Sequence, residues 1–192
     1  MTIRRRKIIG VMGSGSDPYP DLAEPVGRLI AQLGCHLLTG GGKGVMEAVS
    51  RAFCQTQPRE GLSIGILKGY TQTQRQNHHE TLLHQGDIPN PWIEIPIRTH
   101  LPLSGPQGRD LRSRNHINVL TADILIVLPG GPGTFSELTL RIDYGRPALL
   151  YLGPYTLNGY TADQIFSLVS TPSLLSKADS LHELAQLIQS SL

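Results

Sequence analysis

The stretch Ile124-Leu-Ile-Val-Leu-Pro-Gly-Gly-Pro-Gly-Thr-Phe-Ser-Glu137 passes from an apolar run, through a proline–glycine turn, into a helix predicted over Gly133–Tyr144. Five aliphatic residues in a row, Ile124–Leu128, mark a strand with both faces of its sheet covered. Working outward, the same unit of strand, glycine loop and helix recurs twice. Lys7–Met12 reads as a first strand, ends in Gly13-Ser-Gly-Ser-Asp17, and leads to a helix over Asp21–Leu33 closed by Gly34. His36–Thr39 reads as a second strand, runs into Gly40-Gly-Gly-Lys-Gly44, and leads to a helix over Val45–Phe53. Leu62–Leu67 and Trp92–Ile97 are predicted strands, Arg109–Ala122 a helix, and Ala148–Leu152 the last strand. Helices over Asp163–Val169 and Leu181–Ile188 close the chain. The expected fold class is α/β: a single-domain, Rossmann-like, doubly wound parallel sheet over residues 1–192, with helices on both faces.

Composition agrees with that reading. Of 192 residues, 39% are hydrophobic and 17% charged, which excludes a disordered chain and suits one domain. No apolar stretch approaches the ~20 residues needed to span a bilayer. The basic start at residues 1–6 leads into an apolar run that breaks at Gly10 and Gly13, unlike a signal peptide. Cys35 and Cys54 form no CxxC and no disulfide framework, so a reduced, cytoplasmic setting is expected. The net charge is only +2 and no aromatic-rich basic face accompanies the tail, so neither nucleic acid nor membrane is an expected partner. The polar stretch 68–91 lacks periodicity and is expected to be a mobile loop.

Chemistry concentrates in the glycine loops. At the carboxyl edge of a parallel sheet they gather where ligands bind, and glycine lets the backbone approach an anion beside a helix N-terminus. The expected phosphate-binding residues are Gly13, Ser14, Gly15 and Ser16 of the first loop, and Gly41, Gly42 and Lys43 of the second. Arg114 and Asn115 come from the segment before the Ile124 strand, and Gly130, Gly131, Gly133 and Thr134 from the third loop. Asp17-Pro18 breaks the dinucleotide fingerprint GxGxxG, and Gly40–Lys43 is not GxxxxGK[ST]; a common dehydrogenase and a P-loop ATPase are both disfavoured. Glu137 falls near the first helical turn, facing the cleft as a ribose or cation partner, or else serving as a dipole-stabilising residue. Arg109, Arg112, Arg114 and His116 are placed on one helix aimed at the same edge, with Arg112 at the surface.

No metal site is expected. His78, His79 and His84 are present, but His79-Glu80 and His84 miss the HExxH spacing, and i and i+5 lie about 140° apart on a helix. Cys35 and Cys54 read as small buried hydrophobes, and Ser136 lacks the GxSxG elbow of a hydrolase triad.

The pattern PGGxGTxxE, filled by Pro129, Gly130, Gly131, Gly133, Thr134 and Glu137, resembles that of the Lonely Guy superfamily. Gly40-Gly-Gly-Lys-Gly-Val-Met-Glu47 is similar to that family's GGGxxGLMG segment, and the likeness extends from about residue 7 to residue 152. In the enzymes of the family an arginine and a glutamate cleave the N-glycosidic bond of a nucleoside 5′-monophosphate, typically a cytokinin riboside 5′-monophosphate. The resemblance implies Arg114 and Glu137 as those residues. Asn115 stands where the enzymes carry lysine, and Pro132 where an aromatic or aliphatic residue is common. Ser113-Arg-Asn-His-Ile-Asn118 and the stretch Asn90–His100 look more like the molybdenum cofactor carrier branch, whose members bind the pterin cofactor (molybdopterin) without turnover. The leading expectation is a carrier holding the cofactor by its phosphate, with molybdenum enzymes as recipients and a homo-oligomer, dimer or tetramer, as the assembly. A phosphoribohydrolase is the alternative, and a nucleotide-sensing module a third reading. All three share a small phosphorylated heterocyclic ligand.

Overall fold

The computed structural model describes residues 5–69 and 89–192. Seven strands form one parallel sheet: β1 (Ile8–Met12), β2 (His36–Thr39), β3 (Ser63–Leu67), β4 (Ile95–Arg98), β5 (Ile124–Val127), β6 (Ala148–Leu150) and β7 (Leu175–Lys177). Their order is β4-β3-β2-β1-β5-β6-β7. The chain builds outward from β1 through β2, β3 and β4, then returns to place β5 on the other side of β1. Val11 pairs with Ile126 in that central register. The order therefore reverses between β1 and β5, and the crevice beyond their carboxyl ends is the switch point of the sheet.

Six helices are described: α1 (Pro20–Gln32), α2 (Val45–Gln55), α3 (Asn115–Thr121), α4 (Pro132–Asp143), α5 (Ala162–Leu168) and α6 (Leu181–Gln189). Strand alternation divides the core in two. Ile9, Val11, Ile124 and Ile126 pack under α1, α2 and α6, with Val26, Ile30, Val49, Phe53, Leu184 and Ile188. Met12, Leu125 and Val127 face the other way, against Val119 of α3, Leu138 and Ile142 of α4 and Ile165 of α5. Helices cover both faces, and the central strands read as unbroken apolar runs for that reason. Cys35 lies in the first cluster and Cys54 packs at its margin, and burial pushes both thiols up from their ordinary value. No described helix is long and apolar enough to cross a membrane.

Three expectations need correction. The helix expected over Arg109–Ala122 starts only at Asn115, because Asp110 closes a tight turn ahead of it. Its carboxylate accepts from the Arg112 amide at 2.8 Å, and its carbonyl accepts from the Ser113 amide at 2.8 Å. The strand expected from Trp92 begins at Ile95, since the Asn90 side chain accepts from the Trp92 amide and makes Asn90–Ile93 a turn. Nor is the strand after α4 the last: β7, three residues long, adds a further edge beside β6, too short to show a periodicity. Two arginines at the basic start pair with carboxylates, Arg5 with Asp123 and Arg6 with Glu60. The central part of the loop expected over 68–91, residues 70–88, lies outside the described residues, and His78, His79 and His84 lie there with it.

Candidate functional site

All three glycine loops reach the switch point. Gly13 follows β1, Gly42 follows β2 and Gly131 follows β5, and together they wall a cleft of about 630 Å³. The loops are tied directly to one another. The Ser14 amide donates to the Pro129 carbonyl at 2.9 Å, and the Val45 amide, at the start of α2, donates to the Ser14 carbonyl at 2.9 Å.

Of the residues expected to bind phosphate, Gly13, Ser14, Gly15, Ser16, Gly42, Lys43, Arg114, Asn115, Gly131, Gly133 and Thr134 line this cleft, as does Glu137. Gly41 and Gly130 stand behind it. A Cβ on Gly130 would lie 2.3 Å from Thr134 Oγ1, so glycine there lets the β5 loop close onto the first turn of α4. The three loops differ in what they offer. Ser14 Oγ accepts from the amides of Ser16 and Asp17, and both serine hydroxyls turn to the Asp17 carboxylate. The first loop thus turns both serine hydroxyls and the Ser16 and Asp17 amides on itself, and α1 starts only at Pro20, beyond a left-handed Tyr19. At α4 the arrangement is more open. Gly131 is the N-cap and Pro132 has no N–H, so helix geometry leaves the amides of Gly133 and Thr134 at the cleft without an i−4 partner.

Arg114 enters from the turn before α3. Its amide donates to the Leu103 carbonyl at 3.0 Å, a short bridge that fixes where its side chain departs. The guanidinium lies across Gly40, where a Cβ would come within 2.3 Å of Nη2; that glycine exists to admit the arginine. Only 12% of the side chain is exposed, and Nε and Nη1 are buried without a hydrogen-bond partner. Glu137 Oε1 lies 3.8 Å from Nη1, close enough for attraction but too far for a hydrogen bond. Burial pushes the Glu137 carboxyl up from its ordinary value, while Arg114 and the Asn118 amide pull it back.

Asn118 is a residue that sequence reasoning missed as a site element. Fully buried on α3, it donates from Nδ2 to Glu137 Oε1 at 2.8 Å. Its spacing of one turn from Asn115, on the helix leading into β5, was the available signal. Asn115 itself binds Ser136 Oγ at 3.3 Å, joining α3 to α4 at the cleft wall. Met46, Lys68 and Ser104–Pro106 also line the cleft and were not foreseen either. Arg109, expected to be aimed at the same edge as Arg114, points elsewhere and pairs with Asp143 at 2.7 Å, while Arg112 lies at the surface as expected, paired with Asp110 at 3.0 Å.

A parallel sheet with its glycine loops and a buried arginine–glutamate pair at the switch point defines a Rossmann-like α/β protein. The chain belongs to the SLOG cluster4 family, whose model matches residues 6–184. It is similar to the molybdenum cofactor binding protein of the phototrophic bacterium Rippkaea orientalis, with 29% identity, a TM-score of 0.68 and 98% of each chain covered. The molybdenum cofactor carrier protein of Chlamydomonas reinhardtii is similar too, with 26% identity, a TM-score of 0.69, and 97% of this chain and 98% of that one covered. An uncharacterized protein of Archaeoglobus fulgidus is 29% identical over 153 residues, 79% of this chain and 83% of that one.

Proposed function

We propose that this chain is a non-enzymatic carrier of the molybdenum cofactor, holding the pterin by its phosphate in the switch-point cleft. The observation that carries this reading is the likeness, across nearly the whole chain, to proteins described as binding or carrying that cofactor. The cleft's own chemistry fits such a group. Two buried guanidinium nitrogens lack partners, and an anion or a carbonyl would supply them. The Gly133 and Thr134 amides, the Thr134 hydroxyl and the Lys43 ammonium suit the phosphate, and about 630 Å³ is ordinary for a small-molecule site. When bound, the cofactor supplies molybdenum redox chemistry for a recipient enzyme; the protein's part is to bind it and limit water around it. A cytoplasmic setting and a homo-oligomer belong to this proposal.

A second reading is favoured by one specific observation, the buried Arg114–Glu137 pair. In a nucleoside 5′-monophosphate phosphoribohydrolase, Glu137 would steady the oxocarbenium-like ribose while water attacks and the base departs with the bonding pair.

One experiment separates the two. The protein is incubated with AMP and with a cytokinin ribotide while free base is measured, beside a titration with the isolated cofactor. The carrier reading expects saturable cofactor binding and no base release. It also expects Glu137→Gln to leave cofactor affinity unchanged or improved, since a carboxylate beside a phosphate repels it. Release of adenine on the order of 1 s⁻¹ or faster, abolished by Glu137→Gln, would make the protein an enzyme.

Thr134→Val tests the phosphate subsite. The side chain is buried and valine is close to it in size, so the change removes the hydroxyl donor without leaving a cavity. A charge-assisted hydrogen bond contributes roughly 1.5–3 kcal/mol, so cofactor affinity should fall about tenfold to a hundredfold by calorimetry with the melting temperature little changed. Affinity equal to wild type would remove Thr134 from the site.

A further inference from the structure

The second glycine loop is held from behind by one buried side chain, Asn90, which is 2% exposed and does not line the cleft. All its polar functions are engaged. Its amide donates to the Gly41 carbonyl at 2.9 Å, and Nδ2 donates to the Gly42 carbonyl at 2.8 Å. Its Oδ1 accepts from the Trp92 amide at 3.1 Å. A carbonyl on one side and an N–H on the other leave a single orientation for the side-chain amide. Gly41 sits at φ +70, and a Cβ there would meet Leu67 Cδ2 at 2.5 Å, so the loop is pressed against β3 on the side from which Asn90 grips it.

In a trans peptide the C=O and the N–H point in opposite directions. With the carbonyls of Gly41 and Gly42 both drawn back to Asn90, the same two peptides turn their N–H edges, those of Gly42 and Lys43, the other way. Gly42 and Lys43 line the cleft. The loop therefore presents amide hydrogens to the cleft and keeps two carbonyl oxygens out of it, the polarity an anion needs.

We infer that Asn90 is a positioning residue: by anchoring the Gly41 and Gly42 carbonyls it sets the second glycine loop to receive a phosphate. This rests on the phosphate-cleft reading above.

The test uses inorganic phosphate as the probe and the full chain labelled with nitrogen-15, following the Gly42 amide resonance during titration. In the wild type the Gly42 amide proton should move downfield and saturate. Asn90→Asp keeps the side chain's shape but, when ionised, sets an oxygen against the Gly42 carbonyl. At pH 8 its apparent Kd should rise tenfold or more. Burial and the facing Gly42 carbonyl push this carboxyl up from its ordinary value, so protonation by pH 5 restores an O–H donor and the Kd ratio of Asn90→Asp to wild type should fall back towards one. Asn90→Leu, with no donor at any pH, should show a constant deficit between pH 8 and pH 5. That recovery separates positioning from a general loss of structure, which thermal melts of each variant at both pH values would report independently. A wild type whose Gly42 resonance ignores phosphate overturns the cleft reading and this inference together. A wild type that binds, with Asn90→Asp binding equally at pH 8 or showing the same deficit at both pH values, overturns the inference alone.

Discussion

Replacing Arg141 by methionine is expected to cost about 3–5 kcal/mol of stability and lower the melting temperature by roughly 6–20 °C. Arg141 is 1% exposed, and its guanidinium donates from Nε to the Pro147 carbonyl, from Nη1 to those of Val119 and Ala122, and from Nη2 to that of Asp123. These four carbonyls lie where α3 ends, where β5 begins and just ahead of β6. None belongs to a regular ladder at that point, so the arginine supplies the donors that secondary structure does not. Burial pulls its pKa down to about 10, which still leaves it charged at neutral pH. Methionine fills much of the volume but satisfies none of the carbonyls, and each buried unmet group costs about 1–3 kcal/mol. Several lose their donor together, and partial rehydration keeps the total below their sum. Arg141→Lys should fall between, because one ammonium cannot reach all four oxygens. Thermal unfolding followed by circular dichroism measures this. A Met variant melting within about 2 °C of wild type would show that water replaces the guanidinium at no cost.

Arg141 also marks where sequence reading stops. The strands β1, β2 and β5 were legible because burial on both faces leaves runs such as Ile124–Leu128 with no polar alternation. The glycine loops were legible because glycine at Gly40 and Gly130 answers a steric demand visible as composition. Arg114 and Glu137 were found through a spaced motif, and the structure brings them within 3.8 Å. Asn90 and Arg141 carry no such local mark, and Asn118 only its one-turn spacing from Asn115. Asn118 meets Glu137 across 19 residues of chain, Asn90 meets Gly42 across 48, and Arg141 reaches carbonyls 6 to 22 residues away. Their roles exist only once the sheet has brought distant loops together, and their residue types are ordinary in helices and turns. The opposite error, a helix drawn through Arg109–Arg114, arose because an Asp-closed turn interrupts a segment whose composition suits a helix.

Arg114→Ala is expected to weaken cofactor binding about tenfold to a hundredfold, the loss of one charge-assisted contact of roughly 1.5–3 kcal/mol. Arg114→Lys should retain part of the affinity, since an ammonium is a point charge where the guanidinium offers a planar fork. The fold should survive both changes, because Nε and Nη1 hold nothing in place that would be released. What changes instead is Glu137. Burial already pushes its carboxyl up, and Arg114 is the cation opposing that push. Without Arg114 the carboxyl moves higher and is protonated over a wider range of pH. The direction of the pH effect follows. In Arg114→Ala, ionised Glu137 repels an incoming phosphate at higher pH, and protonation removes that repulsion as the pH falls. Affinity in the variant should therefore improve towards acid more steeply than in wild type, and Arg114→Ala combined with Glu137→Gln should lose the extra slope. Arg112→Ala serves as the control, since Arg112 is paired with Asp110 and 71% exposed. Calorimetric titration with the cofactor from pH 5.5 to 8 reads all four variants. An Arg114→Ala protein that binds as wild type does at every pH would take Arg114 out of the ligand's reach, and with it the site that both functional readings share.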